Sequence, residues 1–265
     1  MFKGQRLKFE IIEDKIGILT LCRPQKLNTM DQVYFDEMAE LQPLVRRAIA
    51  DGKILAIAMV GEGKHFSAGI DLDHLNVSTP QWAFKNIHNS QEMNQFWATC
   101  NVPVVAGVQG VCIGAGFELA LWADFRIGTE KTRFSMPEVK YALAPDIGGC
   151  VRLTQLLGEA RAKYMIYTCD EVVGREAYDY GIVEKIVPVE ELYDTTIAMA
   201  RKIAKMPPIS TMLAKKCVLA AKESSTAAAL IAEEIQCILC LDNPDMREAI
   251  AAFKEKREPK FKGVI

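Results

Sequence analysis

Two segments of strand length, 53–60 (KILAIAMV) and 102–108 (VPVVAGV), are apolar almost without interruption. A strand with one face in water would show a polar residue at every second position. Continuous apolarity instead demands cover on both faces, as in a parallel sheet sandwiched by helices. Each run leads into a glycine-containing loop and then a helical segment, Gly61-Glu62-Gly63 after the first and Gly110 to Gly116 after the second. The N-terminal part therefore reads as an α/β sheet with crossover helices, whose functional loops lie after the strands.

Upstream, 7–13 and 16–21 are β-rich and separated by Asp14-Lys15, which predicts a hairpin at the start of the sheet. Arg23-Pro24 ends the second strand. A helix is expected to begin near Asp31, with Thr29 and Gln32 spaced as a capping box and Met38, Leu41 and Val45 on its apolar face. From about 148 onward strand signals are sparse, and helices are predicted over 149–157, 159–169, 175–180, 190–205, 209–222, 226–241 and 245–256. Residues 205–209 and 242–245 punctuate this part as turns, and no Ser/Gly-rich linker divides the chain.

The 265 residues, half hydrophobic and a quarter charged, are enough for one large core or two small ones. With a net charge of −2 and scattered Lys and Arg, the chain lacks the basic footprint of a nucleic-acid binder. Apolar stretches break well before the roughly 20 residues that a membrane span needs, so no membrane partner is expected. The opening MFKGQRLKFEIIED is strand-like with early acids, unlike a secretory or transit peptide, and the cytoplasm, where thiols stay reduced, is the expected compartment. Cysteines 22, 100, 112, 150, 169, 217, 237 and 240 show no framework spacing and read as reduced core thiols. Cys237 and Cys240 have no second pair to complete a zinc site, so no metal is expected.

Two loops share one logic: 65–72 (HFSAGIDL) and 110–119 (GVCIGAGFEL). Small residues at a strand exit let a ligand approach the backbone, and the N–H groups of a following helix suit developing negative charge. Together they can form an oxyanion hole; alone, either set of glycines can serve only tight turns and close packing. No phosphate-loop pattern is present, and Gly114-x-Gly116 lacks the third glycine of a dinucleotide fingerprint. Glu118 sits in the apolar stretch AGFELALWA, which implies burial and a raised pKa suited to proton transfer. Glu138 follows Met136-Pro137, and Asp146 follows Pro145; each taken singly can also be a plain cap or loop acid.

HFSAGIDL, VCIGAGFELALWADFRI and FSMPEVKYALAPDIGG, in this order and spacing, resemble the enoyl-CoA hydratase/isomerase (crotonase) superfamily across nearly the whole chain. Arg23-Pro24-Gln25-Lys26-Leu27-Asn28 resembles the family's N-terminal acyl-CoA loop, and Ala251 to Arg257 its closing helix. The resemblance implies an α/β spiral of ββα repeats over 1–200, a helical trimerisation region over 201–265, and assembly as a homotrimer or homohexamer. It also implies an acyl-CoA thioester as substrate, with CoA carried by the substrate and no further cofactor. The N–H groups of Ile70 and Ala115 would hold the thioester oxygen, Glu118 and Glu138 would be the catalytic acids, and CoA would lie near Lys26, Leu27, Ala68 and Ile70.

Two positions depart from the short-chain hydratase pattern. Ala115 and Asp146 stand where glycine is usual. An acid at the position of Asp146 resembles the dienoyl-CoA isomerases, which however carry aspartate in place of Glu118. GFELALWADF, MPE and PDIGG together also resemble carnitinyl-CoA dehydratase. The favoured reading is hydration or dehydration of an α,β-unsaturated acyl-CoA by paired glutamates, with double-bond isomerisation by Glu138 and Asp146 as the first alternative. Acyl-CoA hydrolysis and a non-catalytic binding role follow. Trp82, Phe84, Phe96 and Trp97 are candidates for an acyl pocket or for the core, and His65, His74 and His88 read as surface or loop residues.

Overall fold

The computed structural model describes residues 2–241 and 243–263. The strands are β1 (Phe2–Lys3), β2 (Leu7–Ile12), β3 (Ile16–Leu21), β4 (Ala56–Gly61), β5 (Val104–Gly107), β6 (Val111–Ile113), β7 (Phe125–Gly128), β8 (Arg133–Ser135), β9 (Val172–Val173) and β10 (Lys185–Ile186). The helices are α1 (Gln32–Ala50), α2 (Leu72–Val77), α3 (Pro80–Thr99), α4 (Ala115–Leu121), α5 (Gly149–Leu157), α6 (Glu159–Thr168), α7 (Arg175–Tyr180), α8 (Leu192–Ala204), α9 (Pro208–Glu223), α10 (Thr226–Leu241) and α11 (Pro244–Glu255). Among the described residues, no helix is long and apolar enough to cross a membrane.

The predicted hairpin is present: β2 and β3 pair antiparallel with Leu7 opposite Leu21 and Ile12 opposite Ile16. From β3 onward the large sheet is parallel, in the order β3-β4-β5-β7-β10. A second, small sheet joins β6, β8 and β9. Single bridges, Ser67 to Cys112 and Met30 to Ile70, extend its pairing to the loops after β4 and β3. Each turn of the spiral thus leaves the large sheet, touches the small sheet and returns through a helix.

The apolar run at 53–60 has the predicted cause. Ile57 and Met59 of β4 face the main core, whereas Ala56, Ala58 and Val60 face a second cluster with Ile16, Ile18, Val105 and Ile127. Helix α8 covers that second face with Leu192, Ile197 and Ala200. Burying both faces removes the requirement for a polar residue at alternate positions.

Helix α1 begins where expected but is capped differently. Asp31 is the cap, its Oδ1 accepting from the Tyr34 N–H at 3.1 Å. Thr29 Oγ1 instead accepts from Arg23 at 3.0 Å, and the Gln32 amide donates to Asp36 at 2.9 Å. Arg6 holds the Asp31 carboxylate in place at 2.8 Å, so the ion pair fixes which residue caps. The sequence had left 73–98 without a conformation; it forms α2 and α3, separated by Ser78 and Thr79. Among the cysteines, Cys100, Cys112 and Cys169 are buried, whereas Cys150 and Cys237 are exposed, so the core reading holds for only part of the set.

The seven predicted C-terminal helices correspond to α5–α11. Lys215 of α9 is tied to the core, its Nζ donating to the Trp97 and Val102 carbonyls and to Asp124 Oδ2 at 2.7 Å. Beyond that tie, α9 and α10 bury little: α9 has no buried residue and α10 only Ala229.

Candidate active site

Helix α4 carries Glu118, and its start is shaped by Gly114, whose φ of 52° and ψ of −133° belong to glycine. Gly69, at φ 83°, completes the facing loop. A methyl group on Gly69 would come within 3.1 Å of the Ala115 nitrogen, so the two glycine loops lie against each other and bring the Ile70 and Ala115 backbones to one place. Neither the Ile70 nor the Ala115 N–H meets an acceptor among the described residues. Ile70 also lines a cavity of about 420 Å³.

Glu118 is buried, as its apolar surroundings predicted. Its Oε1 accepts from the Ile147 N–H at 3.1 Å and the Gly149 N–H at 2.7 Å. The loop supplying those donors is itself pinned: the Ile147 carbonyl accepts from Trp122 Nε1 at 3.1 Å and from the Asn94 amide at 3.3 Å. The Asp146 carbonyl accepts from the Gln91 amide at 2.7 Å. Burial raises the Glu118 pKa to about 8, with the charge of Glu138 adding to the rise and the Gly149 N–H opposing it.

Glu138 opens a short 3-10 turn after Pro137. A methyl group on Gly114 would lie 3.0 Å from its Oε1, which sets this carboxyl beside the start of α4. Its Oε2 is buried without a hydrogen-bond partner. Burial raises its pKa to about 7, and Asp146 contributes in the same direction. Asp146 is the most open of the three acids, yet the cavity wall against it desolvates its carboxyl enough to raise the pKa. It lines the 420 Å³ cavity with Tyr141, Leu143 and Ile147. The three carboxyls therefore form one electrostatic group, in which desolvation raises the pKa of each and the charges of Glu138 and Asp146 push Glu118 further up.

The proposed CoA-binding residues come together at the outer rim. The Ala68 N–H donates to the Leu27 carbonyl at 2.9 Å, and Ser67 Oγ donates to the Asn28 carbonyl at 2.8 Å. Arg23 bridges the two loops through Asp71 at 2.7 Å. Leu27 and Lys26 are exposed there, with the Lys26 amine 3.8 Å from Asp73.

The aromatic candidates separate. Trp82 lines the cavity, Phe96 and Trp97 are core, and Phe84 is 91 % exposed. Of the histidines, His88 is on the surface of α3 and His65 Nδ1 accepts from the Val111 N–H at 3.1 Å. His74 departs from the surface or loop expectation. It lies on α2 in the cavity wall, and its Nε2 is buried, because α3 folds back over α2 and Phe35 closes the other side. The Ile147 and Gly149 N–H groups on Glu118 also escaped the sequence reading. The PDIGG segment was visible, but its partner was not. A larger cavity of about 550 Å³ lies between α9 and the core; it contains none of the three carboxyls, so size alone does not locate the chemistry.

The chain matches the family model described as enoyl-CoA hydratase/isomerase over residues 12–264. It is 30 % identical over 248 residues to a short-chain-enoyl-CoA hydratase of Clostridium acetobutylicum, covering 93 % of this chain and 94 % of that protein. It is also 30 % identical over 250 residues to a crotonyl-CoA hydratase of Syntrophomonas wolfei, covering 94 % and 95 %. The crystal structure of an enoyl-CoA hydratase from Bacillus anthracis superposes with a TM-score of 0.93 at 29 % identity, covering 98 % of this chain and all of that one. Fold, ordered motifs and full-length similarity agree: the chain belongs to the enoyl-CoA hydratase/isomerase family of enzymes and has the crotonase fold.

Proposed function

We propose that this enzyme adds water to, or removes it from, an α,β-unsaturated acyl-CoA thioester. The observation that carries the reading is the pair Glu118 and Glu138, both with raised pKa and the second acting electrostatically on the first, with Glu118 on the helix that Ala115 opens and Glu138 beside Gly114 at its start. The Ile70 and Ala115 N–H groups hold the thioester oxygen as it gains enolate charge. In hydration, Glu118 takes a proton from water, the resulting hydroxyl bonds to the β-carbon, and Glu138 delivers a proton to the α-carbon. Dehydration reverses each step: Glu138 removes the α-proton and Glu118 protonates the leaving hydroxyl. The pair needs one proton between the two carboxyls, which their raised pKa values supply near neutral pH.

The CoA portion rests on the rim formed by Lys26, Leu27, Ala68 and Ile70, and no cofactor beyond it takes part. The helices after α8 provide an assembly surface, and a homotrimer or homohexamer in the cytoplasm is the form we expect to act. Its basis is the exposed row Leu230, Ile231, Ile235, Ile238 and Leu241 on α10, an apolar patch of the kind that marks interfaces.

A second reading, double-bond isomerisation between Glu138 and Asp146, is favoured by the position of Asp146 in the wall of the acyl cavity. The two readings separate in one assay. With crotonyl-CoA, loss of the conjugated thioester absorbance should depend on Glu118, and Glu118→Gln should remove it. If Asp146→Asn is instead the crippling change, on a dienoyl-CoA, the isomerase reading replaces the hydratase one.

A further inference from the structure

Trp122 stands four residues after Glu118, at the C-cap of α4, so one face of the helix carries both side chains a single turn apart. Each grips the same loop. Glu118 Oε1 accepts from the N–H groups of Ile147 and Gly149, and between those donors lies the Ile147 carbonyl, which accepts from Trp122 Nε1 at 3.1 Å. No donor reaches Glu118 Oε2 among the described residues. Gly148 makes the close approach of the indole possible: its φ is 119°, and a methyl group there would collide with Trp122 Nε1. The Arg152 guanidinium lies over the indole, 4.9 Å from the ring centroid, and the Asn94 amide is a second, longer donor to the same carbonyl at 3.3 Å.

A buried indole N–H usually finds an acceptor, so the bond alone shows only good packing. The choice of acceptor shows more. Peptide planarity leaves only φ and ψ free, and the two glycines at 148 and 149 restrain those angles least. Holding the Ile147 carbonyl fixes the backbone between the two N–H groups that reach Glu118. We propose that Trp122 is a positioning residue for Glu118: its indole N–H locks this glycine backbone so that both donors stay on Oε1, which leaves Oε2 to exchange the proton. The kinetic consequence rests on the hydratase reading. The two N–H groups favour the carboxylate, whereas burial and the charges of Glu138 and Asp146 favour the acid, so loosening the donors raises the pKa of Glu118. Cys150 and Arg152 of α5 also stand at this loop, and like Glu138 and Asp146 they are unchanged in the variants below.

The test is Trp122→Phe, which keeps an aromatic ring and removes the N–H. Protonation of Glu118 is followed by the infrared carboxyl band that disappears in Glu118→Gln, so the readout needs no turnover. Its titration midpoint should rise by about half a pH unit or more, because hydrogen bonds to an ionised group are stronger than those between neutral groups. The acidic limb of kcat/KM for crotonyl-CoA hydration should move up with it, since hydration needs Glu118 as the carboxylate, while the Kd of butyryl-CoA stays within about twofold. A purely structural role would lower the unfolding temperature without moving the band. Asn94→Leu, which removes the longer bond to the same carbonyl, should shift the midpoint in the same direction by less, and it decides alone if Trp122→Phe does not fold. A titration midpoint equal to that of the wild type in the folded variant overturns the proposal. An infrared shift in a protein whose wild type does not turn over crotonyl-CoA would instead defeat the hydratase reading and leave the role of Trp122 standing.

Discussion

Helices α4 and α10 are both dominated by apolar residues, yet all seven residues of α4 are buried and α10 buries only Ala229. Phe117 of α4 is fully enclosed, whereas Ile238 of α10 is 63 % exposed. An apolar face states that cover is needed but not which chain provides it. Helix α4 is covered by its own chain, and that enclosure carries Glu118 into a low-dielectric setting where its pKa rises. Helix α10 keeps its apolar row for an assembly partner, in our reading, and carries none of the three candidate acids. Enclosure by the same chain is what lets a hydrophobic helix hold a carboxyl with a raised pKa.

The largest effect should come from the enclosed site. Glu138→Gln should keep the fold and lower kcat by roughly 10²–10⁴-fold, the usual scale for a general acid or base. Steady-state kinetics on the preferred enoyl-CoA, with circular dichroism as the control, checks it; near-wild-type turnover would remove Glu138 from the mechanism. Phe117→Ala sharpens the contrast from the packing side. It should cost about 3–5 kcal/mol in urea unfolding, because the cavity it leaves cannot be filled by solvent without wetting the core.

The pH dependence of stability should also divide the two regions. A carboxyl whose folded pKa is raised contributes stability that is complete below its unfolded value, near ~4.3, and is lost as pH rises through the folded value. For Glu118 that window runs from ~4.3 up to about 8. Glu118→Gln cannot ionise, so its stability at pH 9 relative to pH 4 should fall less than that of the wild type, by on the order of a few kcal/mol. Identical pH profiles of the thermal midpoint would show that Glu118 is ionised without cost.

The smallest effect on the chain itself should come from α10. Ile238→Asp should change the limiting stability at low protein concentration by less than about 0.5 kcal/mol, as for other exposed positions. The same substitution should shift the light-scattering mass from that of an oligomer toward the 29.5 kDa chain. A wild type that is already monomeric would break the comparison, because α10 would then leave its row uncovered.

Much of this was legible in the linear pattern. Continuous apolarity at 53–60 required cover on both faces of β4, and the alternation of Ile57 and Met59 against Ala56, Ala58 and Val60 meets it. The apolar setting of Glu118 announced its burial, and the helical periodicity after 148 located α5–α11 to within a few residues. These are local signals, in which each residue reports the surroundings that its own face requires.

Other features depended on residues far apart in sequence. The N–H groups of Ile147 and Gly149 reach Glu118 across some thirty positions, separations of 29 and 31. Arg6 selects Asp31 rather than Thr29 as the cap of α1 from 25 residues away. His74 of α2 and Trp82 and Phe84 of α3 are near neighbours in sequence, but α3 folding over α2 puts the first two in the cavity wall and leaves the third in solvent. By itself the sequence determined which elements form, which faces need cover and which acids are candidates for proton transfer, because periodicity and burial cost act locally. Only the tertiary structure decided which donors hold Glu118, which aromatics line the cavity beside Asp146 and which apolar face stays open, because those outcomes depend on how distant segments pack.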